Sequence, residues 1–161
     1  MADAVPSSAD AGSTGALLEL RGIQLDAAAG GAEEAIRISG QILVDIDAVD
    51  PSYVDAMLER EQSVSTVMGE GVAIPHGTNE SKGAVLRNAL SFTRFPDGVD
   101  WNGKPVTIAI GIAALGNDHV GILSKLAMIL VDPDKSKQLR STTDAQQVLD
   151  LLSPHEGDED E

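Results

Sequence analysis

His76, with Gly77 and Thr78 behind it, is the side chain in this sequence most plainly placed for chemistry. The short apolar run 72–74 reads as a buried strand, and Pro75 then removes a backbone donor and ends any regular ladder. His76 therefore falls at a strand end. Gly77 can adopt backbone angles closed to other residues and lets a partner approach, while Thr78 offers a hydroxyl to an oxyanion. From these residues alone two readings stay open: an imidazole presented for reaction, or one that merely closes a turn.

A second histidine has a comparable setting. Residues 106–114 form the longest continuous small and apolar run, as in a central strand buried on both faces. Gly116-Asn117-Asp118 follows, and Val120, Leu123, Ala127 and Leu130 mark a helix capped by Asn117 or Asp118, with His119 in its first turn. Both histidines thus lie at the end of a strand or the start of the next helix, the edge where open α/β sheets place their sites. A helix N-terminus carries unsatisfied N–H groups and positive partial charge. It suits a phosphate or other anion and disfavours a protonated imidazole nearby. Because histidine titrates near pH 6.5, a small downward shift leaves a neutral ring able to attack phosphorus. Metal ligation is the rival use, but zinc needs a third ligand and the only further histidine, His155, lies in the tail. A serine hydrolase would need a Gly-x-Ser-x-Gly elbow, which is absent. Gly69-x-Gly71 lacks the further glycine and following helix of a dinucleotide fingerprint, and no phosphate-loop motif occurs.

The elements that must position these groups alternate between strand and helix. Residues 1–15 are small and polar and read as a disordered extension. The domain begins at residue 16, with Ile23 and Leu25 alternating as in a strand. Residues 32–44 carry Ala35, Ile38, Ile42 and Leu43 at helical spacing, with Glu33 and Glu34 suited to the first turn. Asp50-Pro51 starts a second helix with Val54, Met57 and Leu58 as its buried face, ending near Glu61. Arg60 lies in its last turn, where a cation complements the helix C-terminus. Residues 64–68 and 72–74 read as short strands around Gly69-Glu70-Gly71. Residues 85–95 form a longer strand that Pro96-Asp97-Gly98 turns, and Asn102-Gly103 makes a further turn after Trp101. Short helices follow around 135–140 and from Thr143, where Thr143-Asp144-Ala145-Gln146 reads as a capping box. Residues 153–161 are an acidic, solvated tail, and no internal repeat is present.

Composition narrows the partners. With 11 basic and 26 acidic residues the net charge is −15, which opposes nucleic acid and anionic membranes and favours basic proteins. Aromatic residues are only 2% of the chain, too few for base stacking, so the core must be aliphatic. There are no cysteines, which excludes disulfides, thiolate metal sites and thiol catalysis. No apolar run approaches the roughly 20 residues a membrane helix needs, and no secretion signal is present. The sequence reads as a soluble, cytoplasmic single domain.

Two stretches resemble a known family. They are Tyr53-Val54-Asp55-Ala56-Met57-Leu58-Glu59-Arg60-Glu61 leading to Gly71-Val72-Ala73-Ile74-Pro75-His76-Gly77-Thr78, and Gly111-Ile112-Ala113-Ala114 leading to Asn117-Asp118-His119. In order and spacing they resemble the enzyme IIA components of the bacterial sugar phosphotransferase system, mannitol and fructose class, over residues 17–152. The resemblance implies an α/β domain over 16–152, with a mixed parallel and antiparallel sheet of about five strands and helices on both faces. It implies that His76 takes a phosphoryl group from the phosphocarrier HPr and passes it to a cysteine on a IIB domain. His119 and Arg60 would then hold that group, with Thr78 as a further hydrogen-bond partner, and no cofactor, metal or nucleotide is involved. Under this resemblance Arg60 offsets phosphoryl charge instead of only capping its helix. The His-Gly-Thr ending is closer to mannitol-type members, and the chain would act as a stand-alone carrier. The family also has a regulatory branch, the nitrogen-related IIA proteins, which signal by binding other proteins and give the alternative reading. A third reading, an acidic binding module without phosphoryl chemistry, predicts no phosphorylation by HPr.

Overall fold

The computed structural model describes residues 18–152 without 64, 70, 116 and 117, and without the side chains of 79, 80, 82, 118 and 119. The predicted extension at 1–15 and the acidic tail at 153–161 lie outside the described residues. Five strands form one sheet: β1 Ile23–Gln24, β2 Val67–Gly69, β3 Val72–Ala73, β4 Ala89–Trp101 and β5 Lys104–Ala113. Their order is β1-β4-β5-β3-β2. The pairs β1/β4 and β3/β5 are parallel, while β4/β5 and β2/β3 are antiparallel. The run read as a central strand is therefore central, and the sheet is mixed as expected.

Side-chain alternation along β5 explains why helices cover both faces. Ile108, Ile110 and Ile112 point to one face, where they pack with Ile122, Leu126 and Ile129 of α3 (Asp118–Leu130), Leu139 of α4 (Pro133–Ser141) and Val148 and Leu152 of α5 (Ala145–Leu152). Ala109 and Ala113 point the other way, toward Ala35, Ile36 and Leu43 of α1 (Ala32–Asp45) and toward Tyr53 and Met57 of α2 (Ser52–Ser63). Each buried isoleucine contributes about 1.5 to 3 kcal/mol, and a one-residue slip would turn all three into the close-packed α1 face. The face toward α1 is small so that the helix can approach. A Cβ on Gly111 would lie 3.4 Å from Leu43 and 2.5 Å from the Ser91 hydroxyl. Alternation is thus between large aliphatics and small residues, not between apolar and polar.

Several local expectations need correction. In α1 the buried stripe is Ala32, Ala35, Ile36, Ser39, Gly40 and Leu43, whereas Ile38 and Ile42 are half-buried at its margin. The strand read at 85–95 is β4, which starts at Ala89 and continues through Pro96-Asp97-Gly98 to Trp101. A register irregularity between Arg94 and Val99 absorbs the proline, with Gly98 at φ 79°. The two-residue β1 pairs with Phe92 and Thr93, and the Ala27 amide extends this side by one bond to the Arg94 carbonyl at 3.0 Å, two residues short of Pro96. The chain reverses instead at Asn102-Gly103, with φ of 56° and 95°, the positive pair a tight hairpin turn requires. At α5 the cap is Asp144, whose carboxylate accepts the Gln146 amide at 3.0 Å, not Thr143. A 3-10 segment, Asn79–Ala84, was not evident from the pattern.

Candidate active site

His76 stands three residues beyond β3, held to the end of β5 by an isolated parallel bridge to Ile112. The Ile112 amide donates to the Pro75 carbonyl at 3.0 Å. Because β3 and β5 are parallel and α3 begins just after β5, His76 and the first turn of α3 come to the same sheet edge. This is the carboxyl edge at which open α/β sheets bind ligands. His119 is the second residue of α3, so its backbone is at that edge; its side chain lies outside the described residues.

The imidazole of His76 is half-buried, and its Nδ1 lies 2.8 Å from the Ile74 carbonyl oxygen. A carbonyl can only accept, so Nδ1 carries the hydrogen and Nε2 of the neutral ring carries the lone pair. Pro75 lacks an amide donor but does not end the pairing as the sequence suggested: its carbonyl accepts from Ile112, and the bridge at His76 lies one residue past it. The backbone selects the reactive nitrogen.

Helix α2 is fastened to the segment carrying His76 at both ends. Near its start, the Tyr53 hydroxyl donates to the Ile112 carbonyl at 2.9 Å and accepts from the Gly77 amide at 2.9 Å. Burial pushes the Tyr53 phenol above its ordinary pKa of 10.0, although the Gly77 bond works in the opposite direction. Near the end of α2, the Glu61 carboxylate accepts from the Thr66 hydroxyl at 2.6 Å, the Thr66 amide at 3.1 Å and the Trp101 indole at 2.9 Å. The Thr66 carbonyl in turn accepts the Ile74 amide at 3.0 Å. Tyr53, Ala56, Met57 and Arg60 follow i, i+3, i+4, i+7 spacing, the first three buried and Arg60 half-buried. Arg60 thus continues the inward stripe about 10 Å along the axis from Tyr53, on a helix pinned at either end of the 74–77 segment.

Thr78 is half-buried, and its carbonyl accepts from the amide and hydroxyl of Ser81, at 3.1 and 2.6 Å, opening the 3-10 segment. The partner that Gly77 admits is within the chain: a Cβ there would lie 2.5 Å from Tyr53 Cε1 and would also strike the Ser81 hydroxyl. Tyr53, Glu61 and Trp101 had no assigned role in the sequence. The available signal was that Tyr53 and Trp101 are the sole tyrosine and tryptophan, and a buried phenol or indole needs a polar partner. Among the described residues no three His, Cys, Asp or Glu side chains converge where a metal ion could be held, and no helix is long and apolar enough to cross a membrane.

The family model for the phosphoenolpyruvate-dependent sugar phosphotransferase system, EIIA 2, matches residues 16–154. The chain belongs to that family. Among EIIA relatives, the mannitol-specific phosphotransferase enzyme IIA component of Halalkalibacterium halodurans is 43% identical over 136 residues, covering 84% of this chain and 94% of its own. The structure of Escherichia coli IIA mannitol in complex with phosphorylated IIB mannitol aligns with a TM-score of 0.78 at 39% identity, over 84% of this chain and 98% of that one. The nitrogen regulatory protein IIA-Ntr of Neisseria meningitidis aligns with a TM-score of 0.75 at 28% identity, over 86% and 98%. The fold class read from the sequence is thus the EIIA fold, and these two mannitol-type proteins, at 43% and 39% identity, are more similar in sequence than the nitrogen-type structure at 28%.

Proposed function

We propose that this EIIA protein is a cytoplasmic phosphocarrier for sugar uptake, most consistent with mannitol, with His76 as its phosphoryl acceptor. The observation that carries the assignment is the Nδ1–H to Ile74 carbonyl bond, which leaves the lone pair on Nε2 at the sheet edge. In the first half-reaction Nε2 donates its electron pair to the phosphorus of phospho-HPr. The new P–Nε2 bond forms as the phosphorus–nitrogen bond to the HPr histidine breaks, and that imidazole leaves with the bonding pair. The ring of His76 becomes cationic, and its Nδ1–H bond to the Ile74 carbonyl strengthens as charge develops. In the second half-reaction a cysteine thiolate of a IIB domain attacks the same phosphorus, and Nε2 recovers its pair.

Transfer of this kind asks the protein mainly to position groups and stabilise charge on the equatorial oxygens. Arg60, on the inward stripe of α2, and His119, in the first turn of α3, are assigned that task, with Thr78 as a further donor. The domain that does this spans residues 16–152. The greater similarity to mannitol-specific relatives supports transport over the nitrogen-related signalling role. Incubation with phosphoenolpyruvate, enzyme I and HPr should add one acid-labile phosphoryl group to the protein and none to His76→Ala. Labelling of His76→Ala at the parental level contradicts the assignment.

A further inference from the structure

We propose that the Tyr53 hydroxyl is a rung inserted into the β3/β5 ladder that sets the aim of the His76 ring, which makes Tyr53 a positioning residue for phosphoryl transfer. This rests on His76 being the phosphoryl acceptor. In a parallel pairing centred on His76 and Ile112, two bonds flank the bridge. The first is present, from the Ile112 amide to the Pro75 carbonyl at 3.0 Å. The second would run from the Gly77 amide to the Ile112 carbonyl. The phenol oxygen sits between those two groups, accepting from one and donating to the other at 2.9 Å each.

The hydroxyl is not needed to satisfy these backbone groups. With no hydroxyl present they could pair directly, as the rest of the ladder does. What the hydroxyl adds is an anchor: it ties both groups, one on each side of the pairing, to α2 immediately after His76. Gly77 shows the same constraint from the other side, since its missing Cβ makes room for the ring at 2.5 Å. The His76 ring is then held between two fixed points, the Ile74 carbonyl on Nδ1 and the Gly77 amide tied to Tyr53. Tyr53 itself is only 4% exposed and packs in the core under α2, so the rung is anchored in the rigid part of the fold.

The test uses the full chain as wild type, Tyr53→Phe, Gly77→Ala and the double variant. For each, the 15N and 1H resonances of the His76 ring are followed across pH, and the rate of phosphorylation by phospho-HPr is measured against HPr concentration. Tyr53→Phe should fold and still be labelled on His76. Its kcat should fall about 10- to 100-fold, the scale of a 1 Å misplacement, with KM for HPr within about twofold. Its His76 ring resonances and titration midpoint should shift. Gly77→Ala, which keeps the hydroxyl but displaces the ring, should move the same resonances, and the double variant should be no worse than the poorer single one. Unchanged kcat and unchanged ring resonances in Tyr53→Phe, with only a loss of thermal stability, would overturn the proposal. A control separates this from the parent assignment: label persisting in His76→Ala overturns the acceptor role, whereas the ring resonances judge the rung regardless.

Discussion

The indole of Trp101, at the far end of β4, donates to the carboxylate of Glu61, in the last turn of α2, at 2.9 Å. The same carboxylate takes both donors of Thr66, so one acid gathers a helix, a strand and the loop that supports Ile74. Trp101 is 1% exposed and Thr66 5%, while Glu61 is half-buried, so losing their acceptor strands some of these donors and opens others to water. Glu61→Ala should lower unfolding free energy by about 2 to 4 kcal/mol, since a stranded donor costs about 1 to 3 and water takes over part of the set of three. Urea unfolding monitored by Trp101 fluorescence measures it.

Arg94 provides a contrast between stability and function. It is buried, and its guanidinium donates to the carbonyls of Leu25, Leu139 and Thr142, joining β4 to the β1 loop and the end of α4. Its register partner is Ile108, four residues from Ile112 and so about 13 Å from the His76 edge. Arg94→Lys should destabilise by about 2 to 3 kcal/mol, because a single ammonium nitrogen cannot stand where the separate Nε and Nη1 donors of the guanidinium fork do. Phosphorylation of the folded variant by HPr should run at the parental rate.

How far the sequence foretold this arrangement depended on range. The helices around Ala35 and Leu126, the central position of β5 and the strand-end place of His76 follow from local period and from Pro75. A turn at Pro96 is the local reading, but β4 runs through it because pairing with β5 resumes at Val99 after a register shift, a long-range fact that no local pattern records. The roles of Tyr53 and Glu61 have no local signature for the same reason: their partners, Ile112 and Trp101, lie 59 and 40 residues away. The C-terminus of α1 shows it again. Its last turn contains no basic residue, yet the Ile46 carbonyl accepts from Arg21 at 3.3 Å and Arg87 at 2.6 Å. Those two cations complement the helix end from outside it.

Glu19 and Tyr53 should shape opposite ends of the pH–stability curve. Partial burial opposes the charged form of Glu19, but bonds from Arg21 and Arg87 at 2.7 and 2.8 Å outweigh it and hold the carboxyl below its ordinary 4.5. A depressed folded value means stability that is present above about pH 4.5 and lost as pH falls through the folded value. Tyr53 has a raised value, so its contribution is present below about pH 10 and lost as pH rises through the folded value. Glu19→Gln should flatten the acid limb and Tyr53→Phe the alkaline limb, as read by thermal melts across pH.

Arg60 and His119 should affect rate, not the identity of the acceptor. Replacing either with alanine removes one hydrogen bond made most strongly during transfer, for a loss of about 10- to 100-fold, or about 1.5 to 3 kcal/mol. Arg60→Lys should recover only part of the loss, because an ammonium lacks the guanidinium fork. The rates to measure are phosphorylation by HPr and onward transfer to a IIB cysteine. A variant that runs at the parental rate in both is not holding the phosphoryl group.

The central claim is that the Ile74 carbonyl, by binding Nδ1–H, directs chemistry to Nε2 of His76. Its most direct measurement is phosphorus–nitrogen coupling in the 15N-histidine-labelled phosphoprotein, which reports which ring nitrogen bears the phosphorus. The account predicts one phosphohistidine, at His76, with coupling to Nε2 and a protonated Nδ1. Coupling to Nδ1, or a phosphoryl group on any other residue, would contradict it.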